Sequence, residues 1–253
     1  KFNDACRSSV LQFTDQWRSY VGRQGRWVDF ENDYKTLDLT YMESVMWAFK
    51  TLHDKGLIYE GFRVLAYCWR CETPLSNTET RMDDTYKDRQ DPAVTVAFTL
   101  DSGEKMVAWT TTPWTLPSNL ALAVGPDIDY AVLEQDGQRY IIADALVGNH
   151  EAEFGTAERV DTLKGTDLIG RRYTPIFDYF ADTELYGTEN AWQVLGADFV
   201  STEDGTGIVH MAPGFGEDDQ IACIEAGIPT LCPMDEHGCY TAEITDYVGT
   251  HVF

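Results

Sequence analysis

Apolar residues recur every three or four positions at Phe2, Cys6, Val10, Phe13, Trp17 and Val21, a spacing that predicts one amphipathic helix ending at Gly22. A second helix is predicted from Thr40, where Thr40-x-x-Glu43 has capping-box form, through Val45, Met46, Phe49 and Leu52 to a stop at Gly56. The period then shortens. Ala93 to Leu100 alternates, Met106 to Thr110 and Leu120 to Val124 are short strand-like runs, and Tyr130 to Asp144 reads as a hairpin turning at Asp136-Gly137. Ala197 to Ser201 and Ile208 to Met211 read as strands around a Glu203–Gly207 turn, followed by a short helix from Glu217 to Ala226 that Gly227 stops. The pattern predicts an α+β protein: a β-barrel-like core of short mixed strands with surrounding helices, preceded by a helical segment. The polar stretch Met82 to Pro92 marks a boundary, so the expected parts are helical 1–63, a cysteine knuckle with linker at 64–90, and a strand-rich domain at 91–253.

Seven Trp, 13 Tyr and 12 Phe in 253 residues supply enough apolar surface for a folded core and exclude a disordered chain. The charge of −23, from 42 acidic and 19 basic residues, disfavours nucleic-acid binding through a broad basic surface. No apolar run approaches the roughly 18 residues of a membrane span, and no leader pattern opens the chain, which predicts a soluble, cytoplasmic protein without a membrane partner. The start at Lys1, within a helical pattern and without Met, predicts a piece of something longer.

Six cysteines are too few for a disulfide scaffold at this size. Cys68-Trp-Arg-Cys71 has metal-knuckle spacing, but a closed zinc site needs four ligands. Cys232, Cys239 or His237 are candidates to complete it; a half-site whose partner lies elsewhere is the better reading, and a redox pair lacks its usual βαβ context.

Trp109-Thr-Thr-Thr-Pro-Trp-Thr-Leu-Pro-Ser-Asn119 is the densest chemistry in the chain. Pro113 and Pro117 fix φ and remove backbone donors, so Thr110, Thr111, Thr112 and Thr115 are expected on a shaped loop able to hold a small polar substrate, with a plain strand end as the alternative. A second segment runs from Gly205-Thr-Gly-Ile-Val-His210 through Pro213-Gly-Phe-Gly-Glu217 to Asp218 and Asp219. Its glycines let the backbone approach a ligand, and one Asp can cap the following helix while the other stays free.

Together these segments resemble the editing domain of isoleucyl-tRNA synthetases. Upstream, Gly25-Arg-Trp-Val-Asp29, Tyr41-Met-Glu-Ser-Val45, Lys55-Gly-Leu-Ile-Tyr59 and Cys68-Trp-Arg-Cys71-Glu-Thr-Pro-Leu-Ser-Asn77 are similar to the stretch leading from that family's nucleotide-binding fold into the inserted domain. Valyl and leucyl relatives typically carry Thr-Thr-Arg-Pro and an acidic residue where this chain has Thr111-Thr112-Pro113-Trp114. The resemblance implies hydrolysis of valine from isoleucine tRNA, and of valyl adenylate, with the tRNA 3′ end and the remaining synthetase domains as partners. An apolar pocket separates side chains differing by one methylene by only about 1–3 kcal/mol, a limit for which isoleucine against valine is itself the standard illustration.

The same resemblance implies roles. Asp219 holds the substrate ammonium and Asp218 caps the helix; Thr110, Thr111 and Thr112 contact the carbonyl, the terminal ribose and the attacking water; Asn119 orients that water. Thr115 shapes the pocket, Trp114 packs against valine or the terminal adenosine, and His210 is a wall against isoleucine rather than a general base. Phe215 and Gln220 depart from the commoner bacterial pattern, where a second His and an aromatic residue are frequent. Editing itself implies no metal or nucleotide cofactor, which leaves the knuckle to a structural zinc of the longer enzyme. His-x-Gly-His and Lys-Met-Ser-Lys-Ser signatures are absent, so this chain is not expected to activate amino acids by itself. Two other readings stay open: a metal-dependent hydrolase using Cys68, Cys71 and His210, and a non-catalytic module that binds amino acids or the tRNA end.

Overall fold

A computed structural model describes residues 1–253, which form two compact units, Lys1–Gly61 and Phe62–Phe253. The first unit is helical, with α1 (Phe2–Ser9), α2 (Thr14–Arg23) and α3 (Leu39–Asp54). The single helix expected from Phe2 to Val21 is therefore two. Near the break, the Ser8, Ser9 and Thr14 hydroxyls donate to the carbonyls of Asp4, Cys6 and Leu11 at 2.8, 3.2 and 2.7 Å, a competition with the backbone ladder that loosens a helix. Helix α3 starts at Leu39 with Asp38 at its N-cap, so the Thr40 capping box is not used. It ends before Gly56, which takes a left-handed φ of 70°.

In the second unit a two-stranded hairpin, β1 (Tyr67–Cys68) with β2 (Thr73–Pro74), carries the cysteine knuckle. Then come β3 (Val94–Thr99), β4 (Lys105–Thr110), β5 (Ala121–Val124), β6 (Asp129–Gln135), β7 (Gln138–Ala143), α4 (Glu151–Phe154), β8 (Glu158–Lys164), α5 (Gly165–Leu168), α6 (Thr183–Tyr186), β9 (Gln193–Gly196), β10 (Ile208–Met211) and α7 (Glu217–Glu225). The strands form a five-stranded sheet ordered β3-β4-β7-β6-β8 and a three-stranded sheet ordered β10-β5-β9.

The fold is thus mixed α+β, but the sheets do not close into the expected barrel. Their backbones meet at corners, through single bridges from Leu100 to Tyr173 and from Arg172 to Gln193 and the Ala143 N–H donating to the Thr206 carbonyl, and the Tyr130 hydroxyl ties β6 to the Gly207 carbonyl and the Gly125 N–H. The expected strand at Ala197–Ser201 is displaced to β9, which pairs in parallel with β5 from Ala121–Gln193 to Val124–Gly196.

The β6–β7 turn at Asp136 and Gly137 has φ of 52° and 77°, the left-handed pair that a two-residue hairpin needs. Along β6 and β7 alternate residues feed two clusters: Tyr130, Val132, Ile141 and Ala143 the main core, Ala131, Leu133 and Ile142 a smaller one with Val147 and Phe154. Both faces are covered, which accounts for the unbroken apolar runs in these strands. Strand β5, wholly buried between β9 and β10, brings the threonine loop into the core.

Candidate active site

The loop begins where β4 ends. Thr112 precedes a proline and is held out of the helical region, and Pro113 opens a 3-10 helix to Ser118 in the first turn, where its missing N–H costs nothing. The hydroxyls are tied to the turn: Thr110 Oγ1 accepts the Thr112 N–H at 3.1 Å and lies 3.3 Å from Thr112 Oγ1, while Thr115 Oγ1 donates to the Thr112 carbonyl at 2.8 Å. Thr111 and Thr112 are exposed, Thr110 is half-buried and Thr115 is buried. The loop is shaped rather than a plain strand end.

Antiparallel pairing of β10 with β5 sets His210 opposite Leu122 and brings it to Thr115 and Asn119. Its Nε2 lies 2.9 Å from Thr115 Oγ1 and its Nδ1 2.8 Å from Asn119 Nδ2. Asn119 Nδ2 also donates to the Ala121 carbonyl at 2.9 Å, and its Oδ1 accepts the Tyr173 hydroxyl at 2.7 Å, so the amide orientation follows from its partners. Nδ1 of His210 is then an acceptor and the ring proton sits on Nε2, donating to Thr115, which donates onward to Thr112. Burial pushes the imidazole pKa down to about 4, so the ring is neutral near pH 7. Neither nitrogen is free to take a proton from a substrate. Asn119 likewise spends both amide hydrogens inside the protein, on the Ala121 carbonyl and His210 Nδ1, which leaves neither for a water.

Beyond β10, Asp219 Oδ2 accepts the Ala212 N–H at 2.9 Å, which anchors the carboxylate at the strand's exit. Desolvation raises its pKa above the ordinary value, and the neighbouring Asp218 charge adds to this while the Ala212 N–H opposes it. Asp218, expected as the helix cap, does not cap: the N-cap of α7 is Gly216, without a side-chain bond, and Asp218 lies exposed in the first turn, where its charge complements the helix dipole. Trp114 meets Phe215 edge-on at 5.1 Å and its carbonyl accepts the Tyr240 hydroxyl at 2.6 Å, tying the two segments together on a second side. The other departure from the common pattern, Gln220, accepts from the Val64 N–H at 3.3 Å and donates to the Phe62 carbonyl at 3.4 Å, which fastens the irregular segment 62–64 to α7.

Cys68 and Cys71 form a knuckle in which Cys68 Sγ accepts the Cys71 N–H at 3.3 Å, a bond that lowers the Cys68 thiol pKa, while the hydrogen bond and charge of the Cys68 sulfur raise that of the Cys71 thiol. No third His, Cys, Asp or Glu joins them in a metal-holding group, so Cys232, Cys239 and His237 do not complete a set. His237 instead pairs with Glu72 at 2.9 Å. His210 lies in the core, apart from the knuckle, and its nitrogens are taken by Thr115 and Asn119, which removes the hydrolase built on Cys68, Cys71 and His210.

Two open concavities, one of Phe13, Gln16, Trp17 and Tyr20 and one of Gly196–Phe199 with Asp218, Ile221, Ala222 and Glu225, contain none of the threonines. Sequence reasoning missed Tyr173, Trp192 and Tyr240. Each reaches the loop from a distant part of the chain, and nothing in its local sequence marks it.

The family model for class I tRNA synthetases (I, L, M and V) matches residues 1–221. The isoleucine–tRNA ligase of Mycobacterium tuberculosis CDC 1551 is 55% identical over 262 residues, covering 100% of this chain and 25% of the relative. That of Rickettsia felis is 51% identical over 276 residues, with 100% and 25% coverage. The chain thus spans about a quarter of the length of these relatives. Among solved structures, the P. knowlesi cytosolic leucyl-tRNA synthetase editing domain aligns with a TM-score of 0.42 at 12% identity over 60% of this chain and 74% of that one. Over its whole length the chain is similar to isoleucine–tRNA ligases, and it belongs to the class I tRNA synthetase family.

Proposed function

We propose that residues 91–253 form an editing hydrolase that cleaves the ester of valine wrongly attached to isoleucine tRNA, and valyl adenylate by the same pocket, within a longer cytoplasmic synthetase whose other domains supply most tRNA contacts. The observation that carries this reading is the seating of His210 on Thr115, which sets the threonine loop beside the strand that leads to Asp219. The Asp219 carboxylate pairs with the substrate ammonium through charge-assisted hydrogen bonds. Thr110, Thr111 and Thr112 surround the ester carbonyl, the ribose and a water. That water attacks the carbonyl carbon, the ester C–O bond breaks, and the ribose oxygen leaves with a proton that came from the water. An ester is reactive enough for positioning and oxyanion stabilisation to suffice without a protein nucleophile. His210, neutral and fixed, closes the pocket against the larger isoleucine side chain, while Trp114 and Thr115 shape it.

Deacylation of valyl- and isoleucyl-tRNA(Ile) by this chain and by Asp219→Ala tests the reading. Valyl ester is expected to be hydrolysed in preference, and the substitution, which removes the partner of the ammonium, to abolish that hydrolysis. Equal hydrolysis of both esters, unchanged by the substitution, would refute it, and analogue binding without any hydrolysis would leave a binding module in its place.

A further inference from the structure

Asn119 is gripped from behind by two residues distant in sequence. Tyr173 donates its hydroxyl to Asn119 Oδ1 at 2.7 Å, and Trp192 donates its indole N–H to the Asn119 carbonyl at 3.2 Å. The two residues also hold each other and the loop exit: the Tyr173 N–H donates to the Trp192 carbonyl at 3.0 Å, and the Trp192 N–H to the Leu120 carbonyl at 2.6 Å. Tyr173 is buried edge-on against Phe98 at 5.5 Å. Trp192 has a φ of 57°, a left-handed conformation that a bulky side chain seldom occupies and that persists only where its surroundings over-determine it. Such an outlier, placed against a candidate site, points to a function for the strain.

The consequence reaches His210. The Ala121 carbonyl and the Tyr173 hydroxyl together hold the amide in this orientation, since a flip would turn the Asn119 oxygen toward the Ala121 carbonyl and forfeit the 2.7 Å bond from Tyr173. In this orientation His210 Nδ1 receives a donor and its proton must lie on Nε2, facing Thr115. We infer that Tyr173 and Trp192 are positioning residues of this site, clamping Asn119 so that His210 is held in one tautomer and one ring orientation against the threonine loop. In its effect on activity this rests on the hydrolytic reading above; in its effect on the tautomer it does not.

The test compares Tyr173→Phe and Trp192→Phe, in the 253-residue chain, with Tyr130→Phe, which deletes a different buried hydroxyl, one bonded to the Gly207 carbonyl and the Gly125 N–H. A long-range proton–nitrogen spectrum is expected to show His210 as the Nε2–H form alone in the native chain and in Tyr130→Phe. Both tautomers are expected once either clamp residue is changed, and Trp192→Phe keeps the test alive if Tyr173→Phe does not fold. Valyl-ester kcat/KM is expected to fall about tenfold in the clamp variants relative to Tyr130→Phe, the scale of one lost buried hydrogen bond, with a similar narrowing of the valine-to-isoleucine preference. An unchanged tautomer in both clamp variants, with rates equal to Tyr130→Phe, overturns the inference. A mixed tautomer in the variants of a chain that hydrolyses no ester overturns the hydrolytic reading and leaves the clamp standing.

Discussion

Asp219 bears its carboxylate where folding alone favours a neutral group. Desolvation raises its pKa above the ordinary 3.8, so folding shifts the balance toward the protonated acid; that contribution to stability is complete below the ordinary value and is lost as pH rises through the folded one. A cation beside the ionised form would offset that cost, and the Ala212 N–H already offsets part of it. Asp219→Asn keeps the shape and the acceptor for Ala212 while removing the charge, so it is expected to leave Tm at pH 7 unchanged or higher and to weaken binding of a valyl-adenosine ester analogue at least tenfold, on the scale of about 1.5–3 kcal/mol for a hydrogen bond to a charged group. Calorimetry and titration on one sample check both halves. With the native chain, analogue binding should fade on acidification with a midpoint above 3.8. His210 has the opposite sign. Its pKa drops from 6.5 to about 4 on folding, so its stability contribution is present above 6.5 and is lost as pH falls through that window toward 4. Linkage puts the loss on the order of 3 kcal/mol. Urea unfolding at pH 7 and pH 4 should show it in the native chain and show a smaller loss in His210→Gln.

At the scale of elements, the turn between β10 and α7 sets where Asp219 lies, and two glycines in it are constrained differently. A Cβ on Gly214 would collide with the Leu231 carbonyl oxygen, which is backbone and cannot move aside, whereas a Cβ on Gly216 would come 2.8 Å from Asp219 Cγ and Oδ2. Gly214→Ala is therefore expected to cost several degrees of Tm, and Gly216→Ala to change Tm little while displacing the carboxylate from Ala212 and weakening analogue binding. Equal loss of Tm in the two variants would contradict this. What was legible in the sequence divides along similar lines. Asp136-Gly137 announced its hairpin because only a few residue types tolerate two successive positive φ values, and Pro113 announced the break after β4 because it lacks a donor. β8 was silent: Glu158–Lys164 is polar and exposed along most of an edge strand, so no alternation appears. The Ala197–Ser201 run was read as a strand, yet its neighbour Gln193–Gly196 pairs with β5, a register decided by tertiary contact. The threonines, His210 and Asp219 stood out by their chemistry, but the use made of Asn119 did not, because its partners Tyr173 and Trp192 meet it only through the fold.

For the whole molecule, the proposed substrate makes charge the quantity to test, because its two parts differ in sign. The chain carries −23, the tRNA is a polyanion, and the aminoacyl end presents a single ammonium. Long-range repulsion therefore opposes arrival of the tRNA body, while the same field attracts a short valyl-adenosine ester. Salt acts on both through the Debye length, roughly 30 Å at 0.01 M and about 8 Å at 0.15 M, so screening should help one substrate and hinder the other. Over that range kcat/KM for Val-tRNA(Ile) is expected to rise and that for the short cationic ester to fall. This sign is the reverse of the one shown by a protein that binds nucleic acid through lysines and arginines, whose affinity drops steeply with salt. A tRNA rate that falls with salt as steeply as such a protein's would mean that a local basic surface, and not the net charge, governs the encounter. Stopped-flow deacylation of both substrates across the salt series makes the comparison directly, with the short ester as the internal control for any effect of salt on the chemical step.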